Sequence, residues 1–261
     1  MQLKPNDPSS SRRRPGDSPL WRRPVLVGAL MLLAGCAVAP FDVPVARWIG
    51  EGECPDVLEK LACLAEVFAH GFGAAALLLT VYLLDPGRRR FLVRLAVMSL
   101  GVGACTDFLK LFLARHRPYQ FFRFEINGGT AATFGEWLPG WSAGAGWQSF
   151  PSSHSAVAAG LAIGLAWLYP RGKWLFVVFA AFAMFQRVVV RAHFPSDVFW
   201  GGGLGSILAG ICLNAACSRW FARFEGGPEH EAAIDGDIAG ENDGRRAALR
   251  NAGSKDDARA A

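Results

Sequence analysis

Residues 151–169 read PSSHSAVAAGLAIGLAWLY, a short polar opening followed by an apolar run. Pro151 to Ser155 starts a helix, so its first-turn N–H groups lack intrahelical partners and its end carries partial positive charge. The remainder offers no polar face, which suits a helix surrounded by apolar material on every side. A bilayer core asks for about 20 such residues, so this run is short for a full span unless it borrows flanking residues or starts below the water interface.

Working outward, five more apolar runs are found, at about Val25–Phe41, Leu61–Leu84, Phe91–Ala114, Trp174–Arg191 and Asp197–Cys217, with the quoted run, His154–Tyr169, fourth in order. Polar punctuation separates them: Asp85-Pro86-Gly87 with three arginines, Pro170-Arg171-Gly172-Lys173, and His193-Phe194-Pro195-Ser196. Over 261 residues the chain is 52% hydrophobic and 19% charged, which excludes a disordered or solvating chain. The fold class expected is therefore all-α, an integral membrane bundle of about six transmembrane helices. Residues 1–24 read as a disordered basic tail, 25–220 as the membrane domain and 221–261 as a disordered Gly-, Ala- and acid-rich tail.

Charge orients this bundle. With both termini inside, the inner side holds Arg12 to Arg14, Arg22, Arg23, Arg88 to Arg90, Arg171, Lys173, Arg219 and Arg223, the excess that the positive-inside rule asks for. Lys110, Arg115, Arg117, Arg123, Arg187 and Arg191 then fall on the outer side around two loops, and a bound anion explains that cluster. Leu33-Ala34-Gly35-Cys36 has the form of a lipoprotein cleavage box, but apolar residues continue beyond it and favour an intact spanning helix. Cys36, Cys105, Cys212 and Cys217 lie within spans and form no metal pattern, whereas Cys54 and Cys63 share the outer side, where a disulfide is one option.

Three segments meet at one face if this topology holds: Lys110 to Pro118 after span three, Pro151 to His154 opening span four, and Arg187 to Asp197 between spans five and six. Lys110, Arg117 and Arg187 supply cations whose donors match phosphate oxygens, and the helix start adds amides, so the ligand implied is a phosphoryl group. A neutral His193 can attack phosphorus if an acceptor, for which Asp197 is placed, holds its other nitrogen. His154, among the phosphate-binding amides, can protonate the leaving alkoxide and later activate water. Three cations can carry the charge of the equatorial oxygens, so the scheme needs no metal or other cofactor.

Lys110 through Pro118 fits K-x6-RP, Pro151 through His154 nearly fits PSGH, and Arg187 through Asp197 fits the R-x5-H-x3-D part of SR-x5-H-x3-D. The chain thus resembles the type 2 phosphatidic acid phosphatase superfamily, which shares its site with vanadium haloperoxidases, over about residues 84–205. The resemblance implies phosphate binding by Lys110, Arg117, Ser152, Ser153 and Arg187, a nucleophile at His193 with Asp197 as partner, and a general acid at His154. Ser153 stands where the family has Gly, and Gln186 where it has Ser.

The function expected is a membrane lipid phosphatase acting through a phosphohistidine on the outer face of the cytoplasmic membrane. Phosphatidic acid, undecaprenyl pyrophosphate, phosphatidylglycerophosphate and a phosphorylated lipid A are the substrates the resemblance implies. The partners expected are the lipid substrate and the bilayer, not nucleic acid. A lipid-to-lipid phosphotransferase would use the same site. A haloperoxidase is disfavoured by the apolar runs, and a transporter by the collection of ionisable groups at one end rather than at midplane. Asp107 is expected to pair with Lys110, and Glu66 and His70 to make contacts between helices, with lining of the site as the alternative. Arg115, His116, Arg123 and Arg191 are read as solvated rim charges, with a headgroup contact as the alternative. The loop Tyr119–Phe150, with Phe121, Phe122, Phe124, Trp137, Trp141 and Trp147, is expected at the interface, shaping lipid entry.

Overall fold

In a computed structural model of the chain, residues 21–51, 55–123, 128–138 and 144–226 are described. Residues 1–20 and 227–261 of the expected tails and the Cys54 half of the suggested disulfide lie outside these residues, as do Phe124 and Trp141. Helix α1 (Arg22–Val38) begins inside the stretch assigned to the tail and runs through Cys36. A turn at Ala39–Phe41, led into by Pro40, joins it to α2 (Asp42–Gly50), which buries Asp42, Val43, Ala46 and Ile49 along one stripe at helical spacing.

The second apolar run is not one helix. It divides into α3 (Asp56–Leu64), α4 (Glu66–Ala69) and α5 (Gly71–Leu84), because His70 turns extended and its ring caps Phe72 N at 3.3 Å. The third run comprises α6 (Leu92–Ala96), a π-helical turn at Val97–Gly101, and α7 (Val102–Leu109). A two-stranded antiparallel ribbon, β1 (Leu113–Arg115) with β2 (Phe134–Trp137), brackets α8 (Pro118–Arg123). The remaining helices are α9 (Ser153–Leu168), α10 (Lys173–Val189), α11 (Pro195–Cys212) and α12 (Ala215–Glu225).

The architecture is the expected all-α membrane bundle, with the small ribbon added at one end. Arg22–Gly50, Pro86–Leu109 and Pro170–Val189 are long and apolar enough to cross a bilayer, and α11 with α12 makes a fourth if that bent pair is one span. Helices α5 and α9 are apolar but shorter. Leu26, Leu30 and Leu33 on α1, Leu79 and Leu83 on α5, and Leu175 and Val178 on α10 are exposed, as lipid-facing residues are.

Helix α9 is the axis, packed against α10 and α11, with α1 lying along α11. Twelve of its sixteen residues are buried. Lipid provides no hydrophobic drive between helices, so close approach through small residues holds them together. A Cβ at Gly201 would stand 2.1 Å from the Ser152 carbonyl oxygen, and one at Gly160 would stand 1.8 Å from the Met98 carbonyl oxygen on the π turn. The first contact seats the start of α9 directly against α11, and the second packs the middle of α9 against the π turn.

Candidate active site

Helix α10 ends in a backbone device that delivers His193. The amides of Ala192 and His193 both donate to the Arg187 carbonyl at 3.1 Å, and Arg191 adopts φ 56°, a left-handed conformation more often taken by glycine at helix ends. The chain then reverses, and Pro195 opens α11 with its missing N–H at a position where no helical partner exists. Arg187 and His193 are thereby set on one turn.

His193 is 1% exposed, and its Nδ1 lies 2.6 Å from the Ser149 carbonyl oxygen. A carbonyl can only accept, so Nδ1 carries the proton and Nε2 keeps its lone pair. Burial pushes the pKa of His193 well below the ordinary value of 6.5, and Arg117 and Lys110 push it further, against the opposing pull of the Ser149 carbonyl. The ring is a neutral imidazole with one free nitrogen.

Asp197 does not hold the ring in the way expected from sequence: its Oδ2 is 4.0 Å from His193 Nδ1. That same oxygen accepts from Ser149 Oγ at 2.6 Å and from Phe194 N at 2.9 Å. The carboxylate thus clamps the residue whose carbonyl takes the His193 proton and the residue that follows His193. It acts one step removed because the N-terminal turn of α11 points it at the chain ends flanking the ring rather than at the ring itself.

The three cations are present at this end. Lys110 is 7% exposed and meets Asp107 Oδ1 at 2.9 Å, as expected for helical neighbours. Burial lowers its pKa, and Asp107 works against that shift. Arg117 is anchored through Nε to the Ala145 carbonyl at 3.0 Å, and its backbone N–H reaches Gly146 O at 2.8 Å. Arg187 is held on both sides, with Nε on Gln186 Oε1 at 2.7 Å and a terminal nitrogen on Glu66 Oε1 at 3.1 Å. Gln186 also donates to Glu66 at 3.2 Å, so the glutamine that replaces the family's serine is part of the frame that aims Arg187.

At the start of α9 the two serines differ in what remains open. Ser152 is fully buried: its Oγ caps Ser155 N at 3.4 Å, and its amide donates to Asp197 O at 3.1 Å. Its hydroxyl oxygen thus acts as an acceptor that caps the helix. Ser153 Oγ bonds Asp107, which ties this turn to Lys110. His154 lies within electrostatic reach of Arg187, Lys110 and Arg117, and its ring centroid is 5.7 Å from that of His70.

Several rim assignments are overturned. Arg115 is fully buried, bonded to Thr133 Oγ1 at 3.0 Å, Ser196 Oγ at 2.9 Å, Asp42 Oδ2 at 2.6 Å and Asp197 Oδ1, with its guanidinium between the Phe134 and Phe194 rings at 4.4 and 4.5 Å. Nothing in its spacing distinguishes it from Arg117 two residues on; Arg115 closes β1, whereas Arg117 lies beyond the strand, with its backbone N–H on Gly146 O. His116 is buried against Trp147, with ring centroids 3.5 Å apart, and burial lowers its pKa. Arg191 stacks over Phe122, and only Arg123 of the four stays exposed. Asp42 and Ser149 are the site neighbours that spacing does not indicate: Asp42 is remote in sequence, and Ser149 contributes a backbone carbonyl that no motif records. Glu66 makes the expected contact between helices, through Gln186 and Arg187 of α10.

One end of the bundle thus brings together a buried neutral histidine, Lys110, Arg117 and Arg187, the start of α9 and a second histidine. The PAP2 superfamily matches residues 91–221, which contain every one of these groups except Glu66, His70 and Asp42, and the chain belongs to it. A lipid A 1-phosphatase of Rhizobium etli is 29% identical over 204 residues, covering 69% of this chain and 80% of that protein. A lipid A 1-phosphatase of Rhizobium johnstonii is 32% identical over 127 residues, 46% of each chain. No solved structure matches the chain. Family and relatives together make the protein a lipid phosphatase.

Proposed function

We propose that the protein removes the phosphate of a lipid A-type glycolipid through a phosphohistidine at His193. The carrying observation is the tautomer: Nδ1 is committed to the Ser149 carbonyl, so Nε2 is the nucleophile, in the field of Lys110 and Arg117. Among the lipid phosphates that the motifs allow, the two relatives named lipid A 1-phosphatase favour this one.

In the first half-reaction Nε2 attacks phosphorus, the P–O bond to the lipid breaks, and the departing oxygen takes a proton from His154. Lys110, Arg117 and Arg187, with the first-turn amides of α9, balance the charge on the equatorial oxygens. In the second half-reaction water attacks phosphorus, the P–N bond breaks, and His154 accepts the water proton as phosphate leaves. Since those cations serve the role a metal ion would otherwise fill, turnover is metal-independent.

The site end is assigned to the outer face of the cytoplasmic membrane. The arginine-rich turns at Pro86–Phe91 and Pro170–Gly172 meet at the other end, where Tyr169 donates to Asp85 at 3.1 Å and Arg88 covers the Tyr169 ring, and there the positive-inside rule places the cytoplasm. Purified protein given a panel of lipid phosphates in the presence of chelator should release inorganic phosphate, fastest from a lipid A-type substrate. His193→Ala should lose at least about 1,000-fold in rate, as removing a nucleophile does. Activity that requires a divalent metal, or that survives His193→Ala, overturns the mechanism. Transfer to a second lipid without phosphate release would make the enzyme a phosphotransferase instead.

A further inference from the structure

We infer that Asp42 and Arg115 are positioning residues for the reaction, holding Asp197 so that the two chain segments flanking His193 cannot shift. The inference rests on His193 being the nucleophile and adds Asp42, which precedes the matched family region, and Arg115, which lies within that region at a position the K-x6-RP motif leaves open.

The network runs through contiguous bonds. Asp42, fully buried in the first turn of α2, accepts from Ser196 N at 2.9 Å, from Ser196 Oγ and from Arg115 at 2.6 Å. Arg115 passes to Asp197 Oδ1, and Asp197 Oδ2 takes Ser149 Oγ and Phe194 N. Ser149 and Phe194 are the residue whose carbonyl orients the imidazole and the residue following it. Every nitrogen of the guanidinium is engaged, and together they donate to Thr133, Ser196, Asp42 and Asp197. A lysine has one nitrogen and cannot span that set.

The arrangement exceeds what is needed to join α2 to α11. Asp42 with Ser196 alone would tie the helices, and a buried ion pair is weak evidence of added stability because desolvation offsets attraction. What the guanidinium adds is a fixed orientation of the Asp197 carboxylate, with one oxygen turned to Arg115 and the other to the two segments around His193. In-line attack tolerates little displacement, and an error of about 1 Å can cost on the order of 100-fold. Phosphate is bound by Lys110, Arg117 and Arg187, none of which touches Asp42 or Arg115, so loss of positioning should appear in kcat and not in KM.

The test is steady-state kinetics on full-length Asp42→Asn and Arg115→Lys proteins, alongside product inhibition by inorganic phosphate. The expected result is a fall in kcat on the order of 10- to 100-fold, with KM and the phosphate inhibition constant within about twofold of the parent protein. Asp42→Glu, which keeps the charge, should recover part of kcat. Thr133→Val removes one acceptor of the fork without removing charge. It keeps the test open if the charge variants fail to fold, and a severalfold fall in kcat at constant KM is expected of it. Folded variants with unchanged kcat and only a lowered melting temperature would overturn the inference and leave a purely structural network. Loss of KM and phosphate affinity together would overturn it as well. His193→Ala in parallel separates the two readings: its inactivity beside a normal Asp42→Asn protein sinks the positioning role alone.

Discussion

The two ends of the bundle treat the same residue type in opposite ways. At the site end, Arg115 is fully buried and shares its donors among four side chains. At the other end, Arg88 keeps 41% of its side chain exposed, pairs with Asp85 one helical turn away and lies over the Tyr169 ring at 4.5 Å. Both are arginines beside an aspartate. The difference lies in the surroundings: around Arg115 the ribbon, α2 and α11 close off water, so each donor must find a protein acceptor or carry an unmet desolvation cost. Around Arg88 water and the headgroup region remain as partners, and geometry there is optional.

The largest effect that follows concerns Arg115. Arg115→Met leaves Asp42 and Asp197 buried without their shared cation, and breaking a buried pair from one side costs about 3–5 kcal/mol. Thermal unfolding in detergent should show a large drop in melting temperature, and expression of folded protein should fall. An unchanged melting temperature would mean that water reaches this network and that the contrast between the two ends is not one of burial.

How much of this was legible in the sequence depends on what each contact is made of. The three cation- and histidine-bearing segments were found because spacing along one helix or loop is local information, and the Asp107–Lys110 pair follows from helical periodicity alone. The six apolar runs gave the bundle, but not the break at His70, where a side chain caps the next helix within a stretch that is apolar on average. Arg115 reads as a rim charge because its partner Asp42 lies 73 residues away and looks like any first-turn acid. The Ser149 carbonyl leaves no trace in residue identity, so the sequence points to Asp197 as the ring's holder, whereas in the structure Asp197 bonds Ser149 and Phe194 instead.

A smaller effect tests the electrostatics at the site end. The folded His193 pKa is depressed below 6.5, first by burial and then by Arg117 and Lys110, so the free enzyme holds the proposed nucleophile neutral through that pH. The acid limb of kcat/KM should therefore fall below 6.5. The sign for stability follows from the same shift. Below pH 6.5 the unfolded chain takes up a proton that the folded chain refuses, so stability declines as pH drops from 6.5 toward the folded pKa. Lys110→Ala removes one of the depressing charges, and its acid limb should move up relative to the parent protein on the same substrate, a comparison in which the substrate's own ionisation cancels. Because burial is the larger cause, the limb should still not reach 6.5. A limb that stays in place would show that Lys110 does not act on His193.

The smallest effect belongs to Arg88. Its bond to Asp85 joins residues three apart at an exposed turn, where solvent already satisfies both partners and salt screens what remains. Tyr169 donates to the same Asp85 oxygen at 3.1 Å, so the carboxylate keeps a partner when the arginine is removed. Arg88→Ala should leave the melting temperature and kcat/KM of the purified protein unchanged within error. Its consequence belongs to topology: Arg88 is one of several cations at that end, and deleting one leaves Arg89, Arg90, Arg171 and Lys173 to set orientation. If Arg88→Ala lowered kcat as far as Arg115→Lys does, the division between a buried end that works and an exposed end that anchors would fail. The coupling would then have to travel the length of α9, from Tyr169 to Ser152.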